Sequence, residues 1–183
     1  TDRAHYGHTT KPRMLPITDQ AARRYMIANT AESWNDLESV VSTSPGQIAI
    51  APGQLVRTWT EHGRPVFQYH TSAPALPAVS FLSARYATRG GTWHAPDGQL
   101  IPIRIFYDPS HGALVDRLID AARQSLAYCA ANFGPYQFRQ LRIVEVPAYE
   151  PVAATSGPST IAFNEWPIFL MRVDAAPGSL DMP

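Results

Sequence analysis

Three stretches in the last third of the chain decide its fold. Residues 113–133 read ALVDRLIDAARQSLAYCAANF, residues 141–146 read LRIVEV, and residues 160–166 read TIAFNEW. Apolar side chains recur every three or four positions in the first stretch, which predicts an amphipathic helix that ends at Gly134-Pro135. The other two stretches are short and apolar, so they predict strands, and a further strand is expected at residues 168–173.

The residues before this helix have the pattern of short strands. We predict them at residues 39–42, 47–51, 54–60, 65–72, 78–88 and 99–107. Glu61-His62-Gly63-Arg64 is a hairpin turn signal between the third and fourth of these. Gly90-Gly91 and Asp97-Gly98 punctuate the chain before the last one, where Pro102 indicates an edge strand because proline cannot donate to a ladder. Short strands bounded by Gly or Pro predict an antiparallel sheet or sandwich.

The pattern divides the chain into three parts and predicts an α+β fold. Residues 1–37 form a polar lead-in, with a short helix expected at residues 19–29 that is capped by Thr18 or Asp19. Residues 38–107 form a mostly antiparallel, sandwich-like β domain. Residues 108–183 supply the helix and strands that open a second, α/β part, so the natural boundary lies near Tyr107.

Composition excludes several classes of function. Fifteen basic residues balance fifteen acidic ones, and no basic run is longer than Arg23-Arg24. The sequence therefore shows no positive stripe of the kind that nucleic acid requires. Cys129 is the single cysteine, which excludes an internal disulfide, and it is expected on the apolar side of the helix. No apolar run approaches eighteen residues, so no membrane span is expected. The polar start without methionine indicates an excised piece.

Glu165 is the most informative acid. On a strand over residues 160–165, Ile161, Phe163 and Glu165 would point to the same side. A carboxylate on an apolar face is costly unless it has a partner, and a cleft in which it meets a protonated amine would supply one. The alternative is that the strand ends at Asn164 and that Glu165 is solvated.

The common catalytic motifs are absent. The sequence has neither Gly-x-Ser-x-Gly nor H-E-x-x-H. His5-x-x-His8 has a ligand-like spacing but lies in a polar terminus, which favours a solvated tail over a metal site. The remaining histidines are more simply explained as surface residues in turns or at strand ends; they are His62, His70, His94 and His111.

Several segments, taken in order, resemble one enzyme family. They are Val40-Val41-Ser42-Thr43-Ser44-Pro45, Trp59-Thr60-Glu61-His62-Gly63-Arg64, Val79-Ser80-Phe81-Leu82-Ser83-Ala84, residues 101–107, residues 114–133 with Gly134-Pro135-Tyr136, and residues 141–147. Their order and spacing resemble the zinc aminopeptidases of the aminopeptidase N type, which are gluzincin metallopeptidases. The resemblance covers roughly residues 38–173. It implies an amino-terminal β domain followed by the start of a thermolysin-like catalytic domain, truncated before the zinc motif.

The resemblance also implies a substrate-binding residue. The family has a Gly-Ala-Met-Glu-Asn signature on an edge strand of its cleft, and the glutamate binds the free amino terminus of the substrate. The aligned segment here is Ala162-Phe163-Asn164-Glu165-Trp166, so Glu165 takes the role of amino-terminus anchor. The glycine and the last asparagine of the signature are missing, which is closer to a divergent branch joined to a transporter-like membrane protein. Tyr149, in the preceding loop, is expected to line the cleft.

The family's reaction needs zinc, which this chain is not expected to hold by itself. In the family, one helix supplies two histidine ligands and the general-base glutamate, and a later glutamate is the third ligand. No residue of this chain takes those catalytic roles, so we expect the chain alone to hold no catalytic zinc and to hydrolyse nothing. In the complete protein the partners would be a peptide substrate and the rest of the catalytic domain. The compartment is not indicated.

Two rival functions remain open. The first is a non-catalytic module that keeps this fold in order to bind or dock a partner, which the missing signature residues favour. Reading the frame beyond Pro183 for H-E-x-x-H and a later glutamate would separate it from the enzyme. The second is a sugar-binding sandwich that uses Trp59, Trp93 and Tyr69.

Overall fold

The computed structural model describes residues 2–9, 18, 20, 35–74, 79–149, 153–170, 172–173 and 180–181. The chain falls into two units, Thr1–Ser33 and Trp34–Pro183. In the first unit Asp2–His5 forms one helical turn, and His5 and His8 are both exposed. The helix expected at residues 19–29 lies outside the described residues.

The second unit is built mainly from strands. They are β1 Glu38–Ser42, β2 Ile48–Ile50, β3 Gln54–Glu61, β4 Arg64–His70, β5 Leu82–Ala84, β6 Ala87–His94, β7 Leu100–Tyr107, β8 Leu141–Val146, β9 Ala154–Gly157, β10 Thr160–Asn164, β11 Arg172–Val173 and β12 Leu180–Asp181. Between β7 and β8 lie a 3-10 turn, Pro109–Leu114, and the long helix, Val115–Phe133. A short helix, Glu165–Ile168, follows β10.

The amino-terminal strands pair in antiparallel fashion. One sheet has the order β1-β4-β3, and β2 pairs with β5 in another. The β3–β4 turn is the predicted hairpin, with positive φ at His62 (49°) and at Gly63 (74°). Positive φ at both central positions matches the right-handed twist of the strands. The sequence prediction of this hairpin is therefore confirmed.

The main sheet has the order β6-β7-β8-β10-β9. Its outer pairs are antiparallel, whereas β7–β8 and β8–β10 are parallel. A parallel neighbour requires a crossover, and the long helix supplies the crossover from β7 to β8. The α+β class with mostly strands and antiparallel pairing is confirmed. The sheet continues across the boundary expected near Tyr107, and the division into domains stays a prediction.

The long helix covers one face of this sheet. Val115, Ile119, Ala122 and Leu126 form its buried stripe, and they pack on Ile101, Ile103, Ile105, Leu141 and Ile143. The helix lies so close to β6 that a Cβ at Gly91 would stand 2.6 Å from Cγ2 of Ile119. Gly90-Gly91 therefore lies inside a strand, and its expected role as a break before the next strand is wrong.

Three further expectations need correction. Strand β7 is not at an edge, but Pro102 precedes Ile103, the first residue paired with β8, so at Pro102 the strand has only one neighbour. Cys129 is exposed on the helix rather than on its apolar side. The strand expected at residues 168–173 is replaced by the end of the short helix, with β11 covering only its last two residues.

The other face of the main sheet contacts the amino-terminal strands. Val144 and Phe106 pack against Ile50 there. Beside them the Arg142 guanidinium donates from Nη2 to the carbonyl of Ala51 (2.8 Å) and from Nε to the hydroxyl of Thr160 (3.0 Å). Both faces of β8 are thus covered. No helix among the described residues is long and apolar enough to cross a membrane.

We predict that Gly53→Ala destabilises the chain by at least about 2 kcal/mol, since an L-residue at positive φ costs about 1–2 kcal/mol before any clash. Gly53 has φ of +90°, and an added Cβ would stand 2.2 Å from the carbonyl oxygen of His70. The measurement is the free energy of unfolding from denaturant titration.

Gly98→Ala is the matched control for this prediction. Its φ is +84°, and nothing lies within 4 Å of an added Cβ. Its free energy of unfolding should fall only by the conformational cost of an L-residue at positive φ, about 1 kcal/mol. Equal losses of unfolding free energy in the two variants would show that the backbone before β3 does not lie against the end of β4 as described.

Candidate functional site

The parallel strands of the main sheet bring three polar segments to one edge. Strands β7, β8 and β10 run parallel, so their carboxyl ends meet there. His111 follows β7, Glu145 is near the end of β8, and Glu165 directly follows β10. The carboxyl edge of parallel strands is where α/β proteins commonly bind ligands. We refer to these three side chains as the anionic cluster.

Glu145 is the buried member of the anionic cluster. Only 5% of it is exposed, although it lies in a strand that is otherwise apolar apart from Arg142. The backbone N–H of Asp108 donates to its Oε2 at 2.7 Å, and Nδ1 of His111 lies 2.5 Å from its Oε1. Because a buried carboxylate is costly without partners, these contacts explain how Glu145 is tolerated.

A turn holds His111 in place. Asp108 caps the 3-10 turn, and its carboxylate accepts from the backbone N–H of Ser110 at 2.9 Å. The N–H of His111 then donates to the carbonyl of Asp108 at 2.8 Å. This local network aims the imidazole at Glu145, and the side chain of His111 remains 20% exposed.

The electrostatics of the pair follow from burial and contact. The hydrogen bond to Glu145 raises the pKa of His111, and the charges of Glu145, Asp108 and Glu165 add to this rise. Burial raises the pKa of Glu145, and its bonds to Asp108 and His111 oppose that rise only in part. The pair therefore retains a shared proton to higher pH than an isolated imidazole and carboxylate would. Nearby, burial and the charge of Glu145 raise the pKa of Tyr86 to about 12.

Glu165 lies at the start of the short helix, not on a strand. Asn164 ends β10 and caps the helix by accepting from the N–H of Trp166 at 3.0 Å. Oε1 of Glu165 accepts from the backbone N–H of Ala148 at 2.8 Å, which ties the helix to the loop after β8. The side chain is half-buried. The expected strand thus ends at Asn164, but Glu165 is bonded rather than simply solvated.

The anionic cluster is compact and carries excess negative charge. One ligand atom from each of its residues lies within 4.8 Å of the others. Among the described residues, the ion pairs are Arg89–Asp116, Arg123–Asp120 and His111–Glu145, so no lysine or arginine neutralises Glu165. The arrangement can accept a cation.

The sequence analysis located only part of this site. It singled out Glu165, whose role as an amino-terminus anchor stays a prediction. The edge strands of the main sheet are β6 and β9, and Glu165 belongs to neither. Tyr149 is in the loop after β8 and is 81% exposed. His111 and Glu145 were not recognised. The available signal was an acid in the apolar run LRIVEV.

A separate groove of about 300 Å³ lies on the opposite face of the sheet. Residues of β9 and β10 line it together with Ile50, Leu82 and Val79. None of the three cluster residues contributes to its lining. The groove and the anionic cluster are therefore different surfaces of the second unit.

Comparison with known proteins supports the fold. No protein family model matches the sequence, and no curated protein matches it. The structure is similar to Legionella pneumophila aminopeptidase A, solved in complex with aspartic acid, with a TM-score of 0.61 and 15% sequence identity. The match covers 68% of this chain and 15% of the Legionella chain. The described part thus has the fold of a portion of an aminopeptidase, and this low identity establishes the fold alone.

We predict that the free energy of unfolding falls as the pH rises above the ordinary pKa of histidine. A raised folded-state pKa of His111 gives stability that is fully present below the unfolded value of 6.5 and is lost as the pH rises through the folded value. The raised pKa of Glu145 acts in the same direction at lower pH. The measurement is denaturant unfolding from about pH 5 to about pH 9 with a metal chelator present.

His111→Asn is the test variant, since asparagine can still donate to Glu145 but does not titrate. The fall in the free energy of unfolding above pH 6.5 should disappear in this variant. His94→Asn, at an exposed histidine, should keep it. An unchanged pH profile in His111→Asn would contradict the assignment.

Proposed function

We propose that this chain is part of a zinc metallo-aminopeptidase-like protein that removes residues from the amino terminus of peptides, and that Glu165 binds the free amino group of the substrate. One observation supports the proposal: in a fold shared with an aminopeptidase, Glu165 lies at the carboxyl edge of the parallel strands, and no lysine or arginine in the described part of the chain pairs with it. Such a carboxylate suits an aminopeptidase, because a free amino terminus distinguishes its substrates from the interior of a chain.

The chemistry of the anionic cluster suits a protonated amine. An ammonium group offers three donors, and Glu165 uses one oxygen for the N–H of Ala148. Its other oxygen can accept from the ligand in a charge-assisted bond, which is stronger than a bond between neutral groups. With His111 protonated, the cluster has one net negative charge, which one ammonium group balances. A peptide with a blocked amino terminus lacks this charge.

The residues of the anionic cluster are not the ligands of the catalytic zinc that is expected for the complete protein. In the family it would make a bound water nucleophilic and polarise the scissile carbonyl. The sequence contains no H-E-x-x-H, so the family's catalytic ligand set is not supplied by this chain. What this chain contributes under the proposal is binding and orientation of the amino terminus. The rest of the catalytic domain would act as its partner, and Tyr149 would line the cleft.

A non-catalytic binding module remains the second candidate. The missing glycine and asparagine of the family signature favour it, because these residues support substrate contacts in the enzymes. Under this alternative the chain would still bind a free amino terminus through Glu165 but would not belong to a hydrolase. Turnover by the complete protein separates the two candidates, since both predict binding.

We predict that Glu165→Gln weakens binding of a peptide with a free amino terminus by about tenfold or more, since a hydrogen bond to a charged group contributes about 1.5–3 kcal/mol. Glutamine still accepts from Ala148 N–H, so the fold should be retained. The measurement is calorimetric titration of the 183-residue chain with a short peptide and with its acetylated form.

The acetylated peptide should bind weakly to the original chain, and Glu165→Gln should hardly change that. Glu61→Gln, at an exposed position in the β3–β4 hairpin, is the control and should bind like the original chain. Equal loss of both peptides in Glu165→Gln would argue against recognition of the amine.

We further predict that the 183-residue chain alone releases no amino acid from an aminoacyl reporter substrate, even with zinc added. The reason is that the family's reaction needs a general base beside the metal-bound water, and this sequence lacks the H-E-x-x-H helix that supplies it. The complete protein should release it if the enzyme proposal holds. Turnover by the isolated chain that survives removal of trace proteases would overturn this prediction.

A further inference from the structure

The anionic cluster combines ligand types that divalent transition metals favour. It offers one imidazole nitrogen from His111 and one carboxylate oxygen each from Glu145 and Glu165. Imidazole and carboxylate are ligands of Zn²⁺ and related ions. Each comes from a different element: the turn after β7, strand β8 and the short helix after β10. Such a convergence differs from a chance group of acids along one exposed surface.

The distances permit a metal centre after a small adjustment. Zinc binds nitrogen and oxygen at about 2 Å, which places tetrahedral ligands roughly 3.3 Å apart. The three ligand atoms now lie within 4.8 Å of one another, with His111 and Glu145 in contact at 2.5 Å. His111 and Glu145 would separate by somewhat less than 1 Å, and Glu165 would move inward. Glu165 can do so because it is half-buried on a four-residue helix.

Backbone donors already orient the two carboxylates. Asp108 N–H holds Oε2 of Glu145, and Ala148 N–H holds Oε1 of Glu165. A backbone donor therefore fixes one oxygen of each carboxylate. The second oxygen of Glu165 can accept a cation directly, whereas that of Glu145 becomes available when the ion replaces the proton that Glu145 shares with His111. Supporting bonds of this kind orient metal ligands and tune their affinity. With His111 neutral, the two negative charges would be balanced by one divalent ion.

We propose that His111, Glu145 and Glu165 bind a divalent transition-metal ion such as Zn²⁺. The three side chains leave at least one coordination position open to water or to a ligand. This site differs in residues and in location along the chain from the H-E-x-x-H centre expected for the complete protein. The expectation of no catalytic zinc concerned that motif, and the site proposed here is separate from it.

The inference does not depend on the proposed peptidase function. Metal binding can be measured with no peptide present, so its failure leaves amine recognition untouched. If both proposals hold, the ions compete, because Glu165 serves each of them. Added Zn²⁺ should then weaken binding of the peptide with a free amino terminus and leave the acetylated peptide unaffected.

The test is calorimetric titration of Zn²⁺ into the chain, with Co²⁺ absorption as a second measure of coordination. His5 and His8 are first replaced by alanine, so that the terminal histidines do not contribute. We expect one equivalent of Zn²⁺ to bind. His111→Asn and Glu165→Gln should each weaken binding by at least about tenfold, the lower range for loss of a supporting contact around a metal. Both variants retain hydrogen-bonding groups, and thermal unfolding without metal checks that they fold.

His94→Asn is the matched control, since it removes an exposed histidine remote in sequence from the cluster. It should bind Zn²⁺ as tightly as the original chain. The proposal is overturned if no equivalent binds, or if binding is unchanged in folded His111→Asn and Glu165→Gln. Loss of affinity in His94→Asn equal to that in His111→Asn would also overturn it, because the ion would then not be localised at the cluster.

Discussion

The burial of β8 on both faces is the constraint on which the rest of the second unit depends. The strand lies between β7 and β10, with the long helix on one side and the amino-terminal strands on the other. It nevertheless contains two charged residues, Arg142 and Glu145, which are 4% and 5% exposed. Residues three apart on a strand face opposite sides, so each charge requires its own partners on its own side.

Arg142 meets this requirement on the side of the amino-terminal strands. Its guanidinium bonds the carbonyl of Ala51 and the hydroxyl of Thr160, and it lies 5.5 Å from the ring centre of Tyr69. Burial lowers the pKa of Arg142, and among the described residues no carboxylate pairs with it. Because these groups stabilise the buried guanidinium, they fix the position of the amino-terminal strands against β8. Removing the guanidinium would leave their polar groups unpaired in the interior.

Local patterns in the sequence predicted most elements but not their neighbours. The hairpin at His62-Gly63 and the long helix depend on residues close in sequence, and both were predicted. The position of β7 inside the sheet depends on β8, which begins 34 residues after β7 ends, so Pro102 alone suggested an edge. The missing side chain of Gly91 allows the long helix to pack closely on β6, and only tertiary packing reveals this role. The capping side chain of Asn164 converted the end of a predicted strand into a helix.

The site could have been predicted further by combining periodicity with topology. Residues 141, 143 and 145 share a face of β8, and the first two pack under the long helix, so Glu145 lies on the helix side as well. A helical crossover between parallel strands starts at the same edge at which the second strand ends, which places His111 beside Glu145. Glu165 reaches that edge because β10 is also parallel to β8. What periodicity could not supply was the order β8-β10, since β9 intervenes in sequence and pairs on the outer side of β10. The fold likeness alone would suit many functions, whereas three converging side chains with excess negative charge favour the cationic ligands proposed above.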